Sequence, residues 1–225
     1  MTDIYILGIH DGHNSGASLC CNGVVVASVS EERLTRVKNE VGYPRQAIED
    51  VLKIGGIDSK SLTEVAYASN FMHHENHLRN IAEWYLVGLK DQRLEKEKPK
   101  EYQKLIFEQR KKERIKTVCQ HIGVSPSIVT FVEHHRAHLA AAYYTAPNIA
   151  NDEPALGLTC DGAGDGLCAT VSICKGNNLE RIAQTDRHAS LGKIYSRITV
   201  LLGMKPWEHE FKVMGMAPYA EMERV

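Results

Sequence analysis

The sequence predicts an α/β protein built as two lobes. Two observations carry this. An apolar, β-branched run at residues 4–9 (IYILGI) ends in a cluster of turn formers, HDGHNSG, and leads into further strand candidates. The same order returns at Ala155–Cys160 (ALGLTC), which runs into DGAGDG at 161–166 and then into another strand candidate. A repeated strand, glycine-rich loop and hairpin is how two lobes gripping a phosphate would be written. The boundaries expected are 1–150 for a first lobe, with a helical insert at about 72–121, and 151–225 for the beginning of a second, incomplete one.

Taken in order, strands are expected at Ala17–Cys21 and Val24–Ser30, separated by Asn22-Gly23, a strong short hairpin signal. Pro44 then starts a helix through Leu52, closed by Gly55-Gly56. Glu64–Ser69 reads as a strand. From His73 to His121 the pattern is helical and polar, with Pro99 as a breaker. Between Lys90 and Lys116 lie 11 basic and 6 acidic residues, a local charge of +5, so this segment is expected to be helical and to protrude. Strand character resumes at Ile128–Val132. The alanine-rich stretch before Pro147 predicts a helix from about His135 to Tyr144. Ala169–Cys174, a turn at 175–178, Leu179–Gln184 and a helix over Leu191–Leu202 complete the second lobe's beginning.

Composition excludes several classes. Of 225 residues, 43% are hydrophobic and 24% charged, which rules out disorder, collagen and a small disulfide scaffold. A net charge of −1 argues against a polyanion binder, so nucleic acid is not an expected partner. Cys20, Cys21, Cys119, Cys160, Cys168 and Cys174 form no C-x-x-C pair and suit a reducing compartment. No basic leader precedes the first apolar run, and no stretch approaches the roughly 18 apolar residues of a membrane span. The expectation is a cytoplasmic protein with no membrane partner.

Four constellations can carry chemistry. In the first loop, backbone N–H groups can meet an anion, and His13, Asn14 and Ser15 supply donors or a proton carrier. An ordinary hairpin turn uses the same residue types. The second loop has three glycines in six residues, with Asp161, Gly162 and Gly164 placed to approach a phosphate or hold a hydrated cation. Neither a Walker loop nor a dinucleotide fingerprint is present. In EHHRAH, His134 and His138 stand one turn apart on a helix, about the spacing two metal ligands need, while His135 points elsewhere. Arg33, Arg36 and Lys38 fit either a phosphate contact or a surface ion-pair cluster. His73, His74 and His77, in the polar insert, read as solvated.

In this order the residues resemble the O-carbamoyltransferase family of nodulation-factor and antibiotic biosynthesis. Its amino-terminal domain is similar to the tRNA threonylcarbamoyladenosine transferases. The stretches that carry the resemblance are ILGIHDGHNSGASL, EERLTRVKNEVGYPRQAI, VEHHRAHLAAAYY, LTCDGAGDG, SLGKIYSRITVLLG and EFKVMGMAPYA, spanning residues 4 to 220 apart from the insert. The resemblance implies an actin/hexokinase/Hsp70-like fold, two RNase-H-like lobes around a cleft. It implies that carbamoyl phosphate and ATP give carbamoyl-adenylate, whose carbamoyl group passes to a substrate hydroxyl. By the same resemblance His134 and His138 bind a divalent metal, iron, with magnesium accompanying nucleotide, and His13 matches the catalytic histidine. His13-Asn14 departs from the family's common His-Asp. A third metal ligand, the adenosine site and a carboxy-terminal YrdC-like domain are expected beyond residue 225, so the chain reads as an amino-terminal fragment, inactive alone.

The residues suit that chemistry. Lys212 and the Arg33/Arg36/Lys38 group can neutralise phosphate charge as the adenylate leaves. The basic insert reads as an acceptor-side cap or an oligomer contact, as in a homodimer. Two other functions share the pattern: an ATP-dependent small-molecule kinase of the same superfold, which needs no histidine pair, and a non-catalytic nucleotide- or metal-binding scaffold.

Overall fold

A computed structural model describes residues 2–73, 75–79, 100–147, 149 and 153–220. It is a mixed α/β protein whose described residues divide into two compact units. The first comprises Met1–Arg79 and Pro99–Asn148, and the second begins at Ile149. Each is described separately below.

The first unit is organised by a five-stranded mixed sheet. Its strands are β1 (Tyr5–His10), β2 (Gly16–Cys21), β3 (Val24–Ser30), β4 (Leu62–Tyr67) and β5 (Val129–Phe131), in the order β3-β2-β1-β4-β5. β1 pairs antiparallel with β2 and parallel with β4, and β5 continues the parallel side. The β2–β3 hairpin forms where Asn22-Gly23 predicts it. Both residues have positive φ, 50° and 84°, as the tight turn that matches strand twist requires. A short helix α1 (Glu31–Thr35) leads to α2 (Arg45–Gly55). α2 buries Ala47, Ile48, Val51 and Leu52 along one face. The face packs closely because Gly55 lacks a side chain: a Cβ there would stand 2.3 Å from Leu19 Cδ2. Leu7, Ile9, Leu19, Ile48, Val51, Val65 and Tyr67 form the solvent-free centre of this core, and burying each large aliphatic side chain is worth about 1.5–3 kcal/mol.

The insert is described in part. Residues 80–99 lie outside the described residues, as do His74 and the His77 side chain, so the reading of that histidine group is left where the sequence put it. α3 covers Glu75–Arg79, and α4 runs from Lys100 to Ile122. The helical assignment holds, and Leu105 and Ile106 near its start are exposed. One side of its second half packs against the unit. Val118 is fully buried in the first unit's core, and Arg114 is buried at the end of the sheet. The cause is specific pairing: the Arg114 guanidinium grips Asp11 through two bonds of 2.8 Å, donates to the Ser69 carbonyl at 2.9 Å, and lies over Tyr67 and Phe131. Charge density predicted solvation; a matched carboxylate and two aromatic faces offset part of the cost of burying this charge. Helix α5 (His134–Thr145) follows β5 and completes the unit.

The second unit contains an antiparallel meander of β6 (Ala155–Gly164), β7 (Leu167–Lys175) and β8 (Asn178–Asp186), then α6 (Leu191–Leu201) and α7 (Glu210–Met216). It repeats the meander of β1, β2 and β3. The DGAGDG segment is less of a loop than its glycines suggest: β6 continues through Gly164 across a register shift, and the turn itself is Asp165-Gly166, with φ of 47° and 87°. No helix among the described residues is long and apolar enough to cross a membrane.

Candidate functional site

The site grows from the carboxyl end of β1 and the amino end of α5, both in the first unit. α5 starts where the Glu133 carboxylate accepts the Arg136 N–H at 2.8 Å, a side-chain cap on the helix's first turn. The cap fixes the phase of the histidines that follow. His135, Leu139 and Tyr143, each about one turn on, are buried and hold the helix against the unit. His134 and His138 consequently share another face, half-buried and exposed respectively. Their Nε2 atoms face each other at 3.1 Å, with ring centroids 4.6 Å apart and planes at 77°.

That separation suits a shared cation. Adjacent ligands about 2.1 Å from one ion stand roughly 3.0–3.4 Å apart over octahedral to tetrahedral angles. Two neutral imidazoles also suit a borderline divalent transition metal by donor type. The residues present therefore fit the metal the resemblance implies. Without an ion, the same contact is made by one ring donating Nε2–H to the other.

The first loop is tied down on both flanks. β1 places Asp11 under it, where the carboxylate is the partner of Arg114, both side chains being at most 2% exposed. Ser15 donates its N–H to the Glu40 carbonyl at 3.0 Å, and Gly42 donates to the Gly12 carbonyl at 3.2 Å. The Ser15 N–H is thus committed inside the protein and is not one of the loop's N–H groups that could meet an anion. His13 and Asn14 are exposed, and Asn14 takes a left-handed φ of 54°. Ser15 is buried, and its hydroxyl oxygen has no hydrogen-bond partner among the described residues. His10 lies close by, its Nε2 3.0 Å from the His13 carbonyl oxygen. Burial pushes the His10 imidazolium below its ordinary value; His134 and Arg114 push the same way, and Asp11 and the His13 carbonyl oppose. His10 is a neutral imidazole at neutral pH.

The remaining sequence-predicted residues are placed as follows. Arg33 on α1, Arg36 just beyond it and Lys38 are all exposed. Their acidic neighbours have structural roles that charge pattern alone did not reveal. Glu31, buried, accepts the N–H groups of Gln46 and Ala47 at 3.1 and 2.7 Å and so caps α2; Glu32 accepts the Asn39 N–H at 2.9 Å. In the second unit, Asp161 accepts the N–H of Gly162 through its own side chain, and its carbonyl accepts the Ser190 hydroxyl at 3.0 Å. α6 begins in van der Waals reach of this segment, a Cβ on Gly192 standing 3.4 Å from Gly162 Cα. Gly164 closes β6, and Lys212 is exposed on α7. Sequence reasoning read His10 and Asp11 as members of the first loop without a role of their own and missed Arg114. Asp11 and Arg114 are 103 residues apart, and no local pattern marks them as partners.

The model of the carbamoyltransferase N-terminus matches residues 5–225. The chain belongs to that carbamoyltransferase family. Among relatives of this carbamoyltransferase amino-terminal chain, an uncharacterised protein of Methanocaldococcus jannaschii is 34% identical over 95% of this chain and 33% of its own length. An uncharacterised protein of Synechocystis is 33% identical over 98% of this chain and 35% of its own. Nodulation protein NolNO of Sinorhizobium fredii is 29% identical over 93% of this chain and 28% of its own. The chain thus spans about a third of the length of the curated relatives it matches. The family named on motif grounds is the family to which the chain belongs.

Proposed function

We propose that this chain is the amino-terminal part of the transfer domain of a cytoplasmic O-carbamoyltransferase, with an actin/hexokinase-like fold. The protein takes carbamoyl phosphate, ATP and water to carbamoyl-adenylate, releasing phosphate and pyrophosphate, and passes the carbamoyl group to a substrate hydroxyl. The observation that carries this reading is the His134/His138 pair, with facing Nε2 atoms, in a chain of the carbamoyltransferase amino-terminal family. The sheet order β3-β2-β1-β4-β5, antiparallel on one side and parallel on the other, supports an RNase-H-like first lobe. Six free cysteines support a reducing compartment.

In the transfer step the acceptor oxygen bonds to the carbamoyl carbon, the bond from that carbon to the adenylate oxygen breaks, and AMP leaves. His13, exposed at the loop, receives the hydroxyl proton, a role typically worth 10²–10⁴-fold. His134 and His138 hold a divalent metal, iron in this reading, which when bound supplies Lewis-acid polarisation of the carbamoyl or phosphate oxygen. In the first unit Asn14, beside His13 and in front of the buried Ser15, and the exposed cations Arg33, Arg36 and Lys38 are the phosphate contacts; in the second unit Asp161, Gly162 and Gly164 on β6 and the exposed Lys212 are the corresponding candidates.

The test uses the complete protein with carbamoyl phosphate, ATP and a panel of sugar, aminoglycoside, cephem and macrolide alcohols. A carbamoylated acceptor with release of AMP is expected, with the rate reduced about 10²-fold or more in His13→Ala. A phosphorylated acceptor with release of ADP would instead establish a kinase and overturn the reading.

A further inference from the structure

Where β1 ends, His10 folds its ring back over the loop that follows. Its Nε2 reaches the carbonyl oxygen of His13 at 3.0 Å. A carbonyl oxygen only accepts, so Nε2 carries the proton and the ring is fixed in one tautomer, with Nδ1 as its lone-pair nitrogen. Gly12 makes the space: a Cβ there would stand 2.8 Å from His10 Nε2 and 2.9 Å from Cε1. The loop's flanks are separately tied to residues 40–42 through Ser15 and Gly42. His10 adds a side-chain clamp on residue 13 itself. Its ring is also near enough to the start of α5 for His134 to act on it electrostatically. His10 therefore stands beside the exposed His13.

We propose that His10 is a positioning residue: its Nε2–H bond to the His13 carbonyl fixes the peptide of residue 13 and so sets the direction of the His13 imidazole. Gly12 is part of the same device, because any larger residue displaces the His10 ring. The inference rests on the reading of His13 as the proton acceptor in carbamoyl transfer. Its physical basis is that misplacing a reacting group by about 1 Å can cost 10²-fold in rate.

The experiment compares His10→Leu, which keeps the bulk and loses the donor, with His10→Gln, whose amide can still donate. Both are made in the complete protein, with Gly12→Ala as an independent displacement of the ring. Amide hydrogen exchange of the peptide covering residues 11–16 is measured beside kcat and KM. His10→Leu should raise exchange in that peptide about 10-fold while β1 and β4 stay protected. It should lower kcat by about 10²-fold with KM little changed. His10→Gln should recover most of both, and Gly12→Ala should resemble His10→Leu. If His10→Leu fails to fold, His10→Asn, too short to reach the carbonyl, replaces it against His10→Gln. Unchanged loop exchange in His10→Leu, or equal loss of kcat in His10→Leu and His10→Gln, overturns the proposal. A wild-type protein without carbamoyl transfer, but with the exchange response intact, would refute the proposed function and leave the clamp standing.

Discussion

Arg114 is the residue on which charge-pattern reasoning and structure diverge most. It sits in a run of 11 basic and 6 acidic residues, where any one cation looks solvated. In the folded protein it is buried with Asp11 by two 2.8 Å bonds. Removing one partner leaves an uncompensated buried charge, so Arg114→Met should destabilise the protein by about 3–5 kcal/mol in urea unfolding. The double variant with Asp11→Asn should recover part of that loss, because it leaves no naked charge. His10 gives a pH signature of its own. Its folded-state value lies below the ordinary 6.5, so the unfolded chain binds more protons as pH falls from neutral. His10's effect is absent above about pH 6.5. Below that, stability is lost progressively until the folded-state imidazole also titrates. The wild-type melting temperature should therefore fall more steeply between pH 7 and 5 than that of His10→Gln; parallel curves would refute it. The two α5 histidines were legible because helical phase alone sets residues four apart on one face. The Asp11–Arg114 pair was not, since only tertiary folding brings it together.

Among the elements, turn chemistry was the most legible. Asn22-Gly23 fixed the β2–β3 hairpin because few other residues take positive φ twice in succession. Glycine content misled in the second loop, where four of its six residues, Asp161 to Gly164, extend β6 before Asp165-Gly166 turns. Helix α2 shows a different limit: Pro44 marks its start, yet its side-chain cap comes from Glu31, 15 residues earlier than Gln46. A carboxylate accepting two first-turn N–H groups also complements the helix dipole. Glu31→Ala should thus cost about 1–2 kcal/mol in thermal or urea unfolding. Helix α4 was predicted as a helix but not as core, because its buried positions Arg114 and Val118 are one turn apart within a mostly charged sequence.

At the scale of the molecule, the mixed five-stranded sheet and the second antiparallel meander give the α/β class that the repeated strand and glycine pattern predicts. The second unit leaves Leu156, Leu158 and Ile173 exposed, with Leu156 directly opposite Ile173 on neighbouring strands. Apolar groups clustered on one sheet face favour association. The 225-residue chain should therefore self-associate in size-exclusion chromatography with light scattering, and Leu158→Lys should reduce it. No such shift would remove the face as an association surface. The functional account depends most directly on the facing Nε2 atoms of His134 and His138. The deciding measurement is transition-metal content of the complete protein, by elemental analysis, in wild type, His134→Ala, His138→Ala and His13→Ala. About one metal ion per chain is expected in wild type and in His13→Ala, with loss in either α5 variant, because one imidazole leaves a borderline ion underligated. Full metal content in both His134→Ala and His138→Ala would contradict the account.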